Sequence, residues 1–239
     1  WRIMRPVNKG DSPYQKIKSY GDALPYLEKR LGIYCSFCEM RINHVPEVEH
    51  VASKTRGGDL TAWNNLLLGC KYCNSRKSNK TSSEDVNEYL WPDQDNTALA
   101  YSYEKVIPEI AQQKFAELDS NAEFYNKAKR LFDLVGLGHV PTGKANDYKD
   151  RRFQDRNEAY QMAKESLKDW LLVKTTPNES TEAFKRQLVR TVQSKGFFSI
   201  WMTVFSDEPE ILKEILEIFP GTQKRYFDEN GHVKQILRL

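Results

Sequence analysis

Cysteine and histidine are scarce in this chain, and long apolar runs are missing. Only four of the 239 residues are cysteine and four are histidine, so any metal site or disulfide framework must use very few positions. No apolar stretch approaches the length needed to cross a membrane, and no secretory signal is recognisable. With 29% charged residues, these absences favour a cytoplasmic protein that does not act in a membrane.

A strong net charge and a nucleotide-binding loop are also lacking. Lys and Arg number 36 against 33 Asp and Glu, a formal charge of +3, which is too small to indicate a nucleic-acid partner by itself. No repeat, low-complexity tract or phosphate-binding glycine loop is visible. Any dependence on ATP must therefore come from another protein.

The four cysteines stand as two C-x2-C pairs, Cys35 with Cys38 and Cys70 with Cys73. One such turn brings two thiolates to an ion, and two turns complete a tetrahedral site made of four sulfurs. Disulfides or free thiols are the alternatives, but disulfides fit poorly with the expected cytoplasmic location. The pairs predict a structural Zn²⁺ that closes the loop between them.

The segment between and after these pairs reads as strand, loop, strand and helix. Residues 45–51 form the first predicted strand, Gly57 and Gly58 mark a turn, residues 64–70 form the second strand, and a helix opens at residue 73. The segment also carries polar residues that a zinc clamp does not need. These are one acid, one imidazole and two amides, namely Glu49, His50, Asn65 and Asn74.

Those four side chains suit a hard divalent cation and a base that titrates near neutral pH. Each also has an ordinary reading as a solvated strand edge or a turn former. Adjacent strand residues point to opposite faces, so Glu49 and His50 share a site only if the strand ends or bends there. Their coincidence inside one zinc-closed loop favours catalysis.

Glu-His, an Asn directly before LLLGC, and an Asn directly after the last cysteine together resemble the HNH motif of ββα-metal nucleases in its four-cysteine form. The likeness covers about residues 35–80. It implies that His50 is a general base which activates water against a phosphodiester, and that Glu49 and Asn74 hold Mg²⁺ or Mn²⁺. It further implies that Asn65 fixes the loop and orients the imidazole, and that the products carry 5′-phosphate and 3′-hydroxyl ends.

A looser likeness concerns two other segments, MRPVNKGDSP at Met4 to Pro13 and LWPDQDNTALAY at Leu90 to Tyr101. They resemble the PtuB-like HNH proteins of Septu and retron anti-phage systems. This resemblance implies an effector nuclease with a PtuA-like ATPase partner and a retron reverse transcriptase with its RNA and DNA. DNA is the expected substrate, and structured RNA such as tRNA stays open. The rival hypothesis is a non-catalytic zinc module that binds nucleic acid or serves as an adaptor.

Basic residues cluster around the motif. Phosphate contacts are their natural use beside a nuclease motif, since such contacts position a nucleic-acid backbone without reading its sequence. A solvated helix face is the alternative. The residues expected to contact phosphate are Lys54, Arg56, Arg76, Lys77 and Lys80.

The whole chain is predicted to belong to the α+β class. We expect an N-terminal segment with a short packing helix over residues 1–34, the zinc-bound HNH unit over 35–92, and a mainly helical, partner-docking region over 93–239. A helix is predicted to follow the cap at residues 82–85. The apolar run at 197–205 indicates a buried helix or a docking surface, and Asn230 with Gly231 predicts a terminal β-hairpin.

Overall fold

The computed structural model describes residues 4–110, 119–144, 149–175 and 178–236. Strand β1 (Glu47–His50) pairs antiparallel with strand β2 (Leu66–Gly69), with His50 opposite Leu66. Helix α2 (Lys71–Lys77) follows β2 directly, because Cys70 caps it by accepting the backbone N–H of Cys73 on its sulfur at 3.4 Å. The predicted order of strand, loop, strand and helix is therefore observed.

Helices supply most of the remaining structure. A short helix precedes the zinc loop, which is the segment from Cys35 to Cys73, and a second small sheet of two strands follows it. Most of the described residues after position 119 lie in helices. The elements are α1 (Leu24–Leu31), β3 (Tyr101–Ser102) with β4 (Glu109–Ile110), α3 (Asp119–Val135), α4 (Arg152–Val173), α5 (Glu179–Lys195), α6 (Phe198–Val204) and α7 (Pro209–Ile218). This agrees with the predicted mixture of helices and small sheets.

One hydrophobic core crosses both predicted domain boundaries. It runs from Met4 through the cysteines and Leu131 to Phe227, all of which are buried. The division at residues 34/35 and 92/93 stays a prediction. In the structure, the zinc loop shares its core with the segments on either side.

Glu39 ties three of these segments together. Its buried carboxylate accepts the backbone N–H of Arg5 at 2.6 Å, and both the backbone N–H and the hydroxyl of Ser199, at 2.8 and 2.5 Å. Gly196 has a φ of +76°, and a Cβ there would lie 2.9 Å from the carbonyl oxygen of Glu39. The first cysteine turn thus docks against α6 through a contact that requires glycine.

The apolar run at 197–205 is part of the core. Helix α6 lies within it, and its residues Phe198, Ile200, Trp201 and Met202 are 0% exposed. Burial therefore accounts for this segment, and it is not a docking surface. Within the described ranges, no helix is both long and apolar enough to cross a membrane.

One predicted element is wrong, and another is shorter than predicted. After residues 82–85 the chain makes only a 3-10 turn, Val86–Glu88, because the buried Trp91 is held by the side chain of Asp95 and the carbonyl of Val86. The terminal hairpin is reduced, in the part described up to residue 236, to a single bridge between Phe227 and Val233. There the carboxylate of Asp228 accepts the N–H groups of Asn230 and His232 and bends the chain into a turn.

The four cysteines meet as predicted. All four are buried and unpaired as disulfides, and their sulfurs lie within 4.8 Å of one another. The sulfurs of Cys38 and Cys70 are 3.7 Å apart. A tetrahedral zinc with Zn–S bonds of about 2.3 Å requires sulfur-to-sulfur edges of about 3.8 Å. The donor set therefore fits Zn²⁺, and the disulfide alternative is not observed.

Because zinc binding and folding are coupled at such sites, replacing Cys73→Ser should cost more than about 4 kcal/mol of folding free energy. For a chain of this size that corresponds to a Tm lower by roughly 8–16 °C. Zinc content by metal analysis should fall from one per chain, and calorimetry gives the Tm. The exposed Ser75→Ala on the same helix is the control. Full stability of zinc-free Cys73→Ser protein would contradict the structural site.

Candidate active site

Glu49 and His50 share a cleft at the end of β1. The strand ends at His50, and a cleft of about 300 Å³ is lined by Glu49, His50 and Asn74 together. Adjacent residues of a continuing strand would face opposite ways. The end of the strand therefore removes the geometric obstacle to a joint site.

The His50 imidazole is held from two sides. Its Nε2 lies 3.1 Å from the carbonyl oxygen of Leu60, and the ring of Tyr20 packs edge-on at a centroid distance of 4.9 Å. Burial lowers the pKa of His50, and the hydrogen bond to Leu60 partly offsets this. Since a carbonyl only accepts, the neutral ring carries its proton on Nε2 and keeps Nδ1 as the acceptor. The imidazole is thus a base at neutral pH.

Asn65 closes the loop that carries Leu60. Its Oδ1 accepts the N–H of Ala52 at 2.8 Å, and its Nδ2 donates to the carbonyls of Ala52 and Asp59 at 3.1 and 2.7 Å. A Cβ at Gly58 would lie 1.9 Å from the carbonyl oxygen of Ala52, so only glycine allows this approach. Asn65 contacts the loop, and Leu60 contacts the imidazole.

Glu49 faces a buried lysine. The Nζ of Lys77 lies 2.9 Å from Oε1 of Glu49, and the two side chains are 1% and 4% exposed. Burial raises the pKa of Glu49 to about 7, although Lys77 opposes the shift. Lys77 was expected to contact phosphate. That prediction is wrong, because an ammonium buried against Glu49 has no surface to offer a nucleic acid.

Asn74 is oriented by a carboxylate that the sequence analysis missed. Its Nδ2 donates to Oε2 of Glu47, whose Oε1 lies 3.2 Å from Nζ of Lys71. A carboxylate accepts only from the amide nitrogen, so Oδ1 of Asn74 is left as the atom for a cation. The spacing could have revealed Glu47, because it stands two residues before Glu49 and shares its strand face. Tyr20 had no comparable signal.

The remaining basic residues divide into two groups. Lys54, Arg56 and Lys80 are exposed around the cleft, with Nζ of Lys54 5.1 Å from the centre of the Tyr20 ring and Arg56 donating to the carbonyl of Lys80 at 2.7 Å. Arg76 instead turns toward the helical region, where its guanidinium lies 3.4 Å from Asp150. Lys54 thus lines the cleft, Arg56 and Lys80 are exposed next in sequence to its lining residues Thr55 and Asn79, and Arg76 takes part in an internal ion pair.

The cleft offers few protein ligands for a hard cation. Glu49 supplies a carboxylate and Asn74 an amide oxygen, and Lys77 engages only one of the two carboxylate oxygens. Mg²⁺ is usually held by one or two such groups, with water and phosphate oxygens completing its shell. The residues present therefore fit Mg²⁺ or Mn²⁺ bound together with a phosphate.

Comparison with known proteins agrees with this geometry for one part of the chain. Searches among curated proteins and among solved structures found no match. The family model described as HNH endonuclease matches residues 35–80, about a fifth of the chain, and this range contains the four cysteines with Glu49, His50, Asn65 and Asn74. Residues 35–80 therefore form an HNH endonuclease domain.

Proposed function

We propose that this protein is a metal-dependent endonuclease that hydrolyses phosphodiester bonds of nucleic acid. The observation that carries the proposal is the meeting of Glu49, His50 and Asn74 in one cleft beside the cysteine cluster. A base, a carboxylate and an amide oxygen at one surface are what hydrolysis of a phosphodiester requires. The matched HNH domain supports the same reaction class.

His50 acts as the general base in this proposal. Its Nε2–H is directed to the carbonyl of Leu60, so Nδ1 takes the proton of the attacking water. Glu49 and Asn74 would hold Mg²⁺ or Mn²⁺. When bound, the ion supplies positive charge for the phosphate oxygens and the leaving 3′ oxygen. Asn65 keeps the loop, and with it Leu60, in place under the imidazole.

DNA is the proposed substrate, with structured RNA such as tRNA as the second candidate. Lys54, Arg56 and Lys80 are exposed, and in this proposal they contact the phosphate backbone. Such contacts position either polymer without reading bases. Cleavage in this arrangement leaves a 5′-phosphate and a 3′-hydroxyl.

The biological role is a further part of the proposal. Through the likeness of residues 4–13 and 90–101 to PtuB-like proteins, we place the enzyme in a bacterial anti-phage system of the Septu or retron type, acting in the cytoplasm. The ATPase partner follows from that likeness, as does the retron reverse transcriptase complex. The helical region would provide the surface on which they dock.

A zinc module that only binds nucleic acid is the competing function. It needs the cysteines and the exposed lysines, but it has no use for an imidazole whose pKa burial lowers and whose ring the carbonyl of Leu60 orients. It also has no use for a carboxylate and an amide in the same cleft. These features favour catalysis.

The substitution His50→Ala separates the two functions. Removing the base should lower the cleavage rate by about 10²- to 10⁴-fold, while zinc content and Tm stay close to those of the parent. Mg²⁺-dependent cleavage of plasmid DNA measures the rate. The exposed His44→Ala is the matched control and should cleave normally. Undiminished cleavage by His50→Ala would sink the assignment.

Nucleic-acid binding should depend on the cations around the cleft. In the His50→Ala background, which allows binding without cleavage, Lys54→Ala and Lys80→Ala should each weaken binding and lower the salt slope of the affinity by about one. Fluorescence anisotropy at several salt concentrations measures both effects. Lys168→Ala, exposed on α4, should change neither. An equal loss in that control would show that charge alone, and not this surface, governs binding.

Substrate and partner dependence are tested together. The purified chain is incubated in Mg²⁺ with plasmid DNA and with total tRNA, alone and with any ATPase that is encoded beside it. We expect cleavage of the plasmid, with activity changed by the ATPase and 5′-phosphate ends by end-labelling. If only tRNA is cleaved, structured RNA and not DNA is the substrate. If the ATPase does not change the cleavage rate, the proposed anti-phage partner is wrong, but the assignment of nuclease activity still holds.

A further inference from the structure

An arginine of the helical region reaches the cysteine cluster. Nη1 of Arg152, near the start of α4, lies 3.3 Å from the sulfur of Cys73 and 2.7 Å from the carbonyl oxygen of Val135. The side chain is 3% exposed. Arg152 lies 72 residues beyond the end of the matched HNH range at residue 80, so this contact joins the cysteine cluster to a different part of the chain.

Arg152 is fixed in this position by a second residue. Asp150 accepts its Nε on Oδ1 at 2.9 Å and its Nη2 on Oδ2 at 2.8 Å, which is a bidentate pair. The fork occupies two of the three guanidinium nitrogens and leaves Nη1 for the sulfur and the carbonyl. The pair with Asp150 therefore fixes the guanidinium group, so that Nη1 points to the sulfur of Cys73.

The cysteine sulfurs receive different hydrogen bonds. Cys35 and Cys70 each accept a backbone N–H at 3.4 Å, from Cys70 and Cys73 respectively. Cys73 accepts from the charged guanidinium of Arg152. Four thiolates around one Zn²⁺ carry an excess of two negative charges, so a buried cation beside one of them offsets part of that charge. A hydrogen bond from a charged donor is also stronger than one from an amide.

We propose that Arg152 supports the zinc site through a hydrogen bond to its ligand Cys73. Arg152 positions the thiolate of Cys73 and stabilises its negative charge. The helical region thereby completes a metal site whose sulfur ligands all lie in the HNH domain. This role does not depend on nuclease activity, since it concerns metal retention. Partners in the surroundings of metal ligands commonly change metal affinity by about 10- to 100-fold when they are removed.

The test compares zinc affinity in full-length variants. Arg152→Met keeps much of the side-chain volume but removes the charge and the donors, and it should lower zinc affinity about 10- to 100-fold in competition with a chromogenic chelator. Arg151→Met, at the exposed neighbouring position, is the matched control and should bind zinc like the parent. A folded Arg152→Met protein with unchanged zinc affinity would overturn the proposal.

A spectroscopic readout separates this role from general support of the fold. In Co²⁺-substituted protein, loss of a hydrogen bond to Cys73 raises the electron density on its sulfur, so the thiolate-to-cobalt charge-transfer band should move to longer wavelength in Arg152→Met. An unshifted band would mean that Arg152 stabilises only the packing of α4. If Arg152→Met does not fold, Asp150→Asn decides the matter. This substitution weakens the bidentate pair that holds Arg152, so it should lower the zinc affinity. A zinc affinity equal to that of the parent would overturn the proposal.

Discussion

Four sulfur atoms within 4.8 Å of one another are the constraint on which the rest of the structure depends. They join residues 35–38 to residues 70–73 and so fix both ends of the loop that holds the cleft. The short sheet needs this closure, because two strands of four residues are marginal by themselves. The same turn that delivers Cys73 to the cluster starts α2, and Asn74 donates its backbone N–H to the carbonyl of Cys70 at 3.0 Å. The position of the amide in the cleft is therefore a direct consequence of the position of the sulfurs.

Buried charge is the second organising feature. Glu39, the Glu49 and Lys77 pair, and the Asp150 and Arg152 pair are all nearly inaccessible to water. Each acid has a specific partner, and removing one member of such a pair usually costs about 3–5 kcal/mol, because the other charge stays buried. An apolar contact tolerates sliding, whereas a carboxylate that accepts three hydrogen bonds, as Glu39 does, permits only one arrangement. Glu39 and Arg152 fix how the HNH domain sits against the N-terminal segment and the helices, whereas the Glu49 and Lys77 pair lies within the domain.

Local patterns explain what could be predicted from the sequence. The C-x2-C pairs, the glycine turn and the apolar strands are short-range signals, and they were sufficient for the cysteine cluster and for the order of strand, loop, strand and helix. The burial of Lys77 was not predictable, because its partner Glu49 lies 28 residues away. The local sequence around a lysine does not distinguish a buried ion pair from an exposed position on a helix. Arg152 stands among alternating charges that are typical of a solvated helix, yet it is buried. Asn230 and Gly231 do form a turn, but the carboxylate of Asp228 takes the N–H groups that a longer ladder would need.

Helix α2 connects these features, because successive residues along it face different parts of the molecule. Cys73 contacts the sulfur cluster and Arg152, Asn74 contacts Glu47, Arg76 contacts Asp150, and Lys77 contacts Glu49. All of these contacts are made by one helix of seven residues. The contacts that Asp150 and Arg152 make with Arg76 and Cys73 therefore reach the same helix that presents Asn74 to the cleft and Lys77 to Glu49. The HNH domain and the helices outside it therefore act together on the helix beside the cleft, and within the described residues one hydrophobic core contains side chains from both.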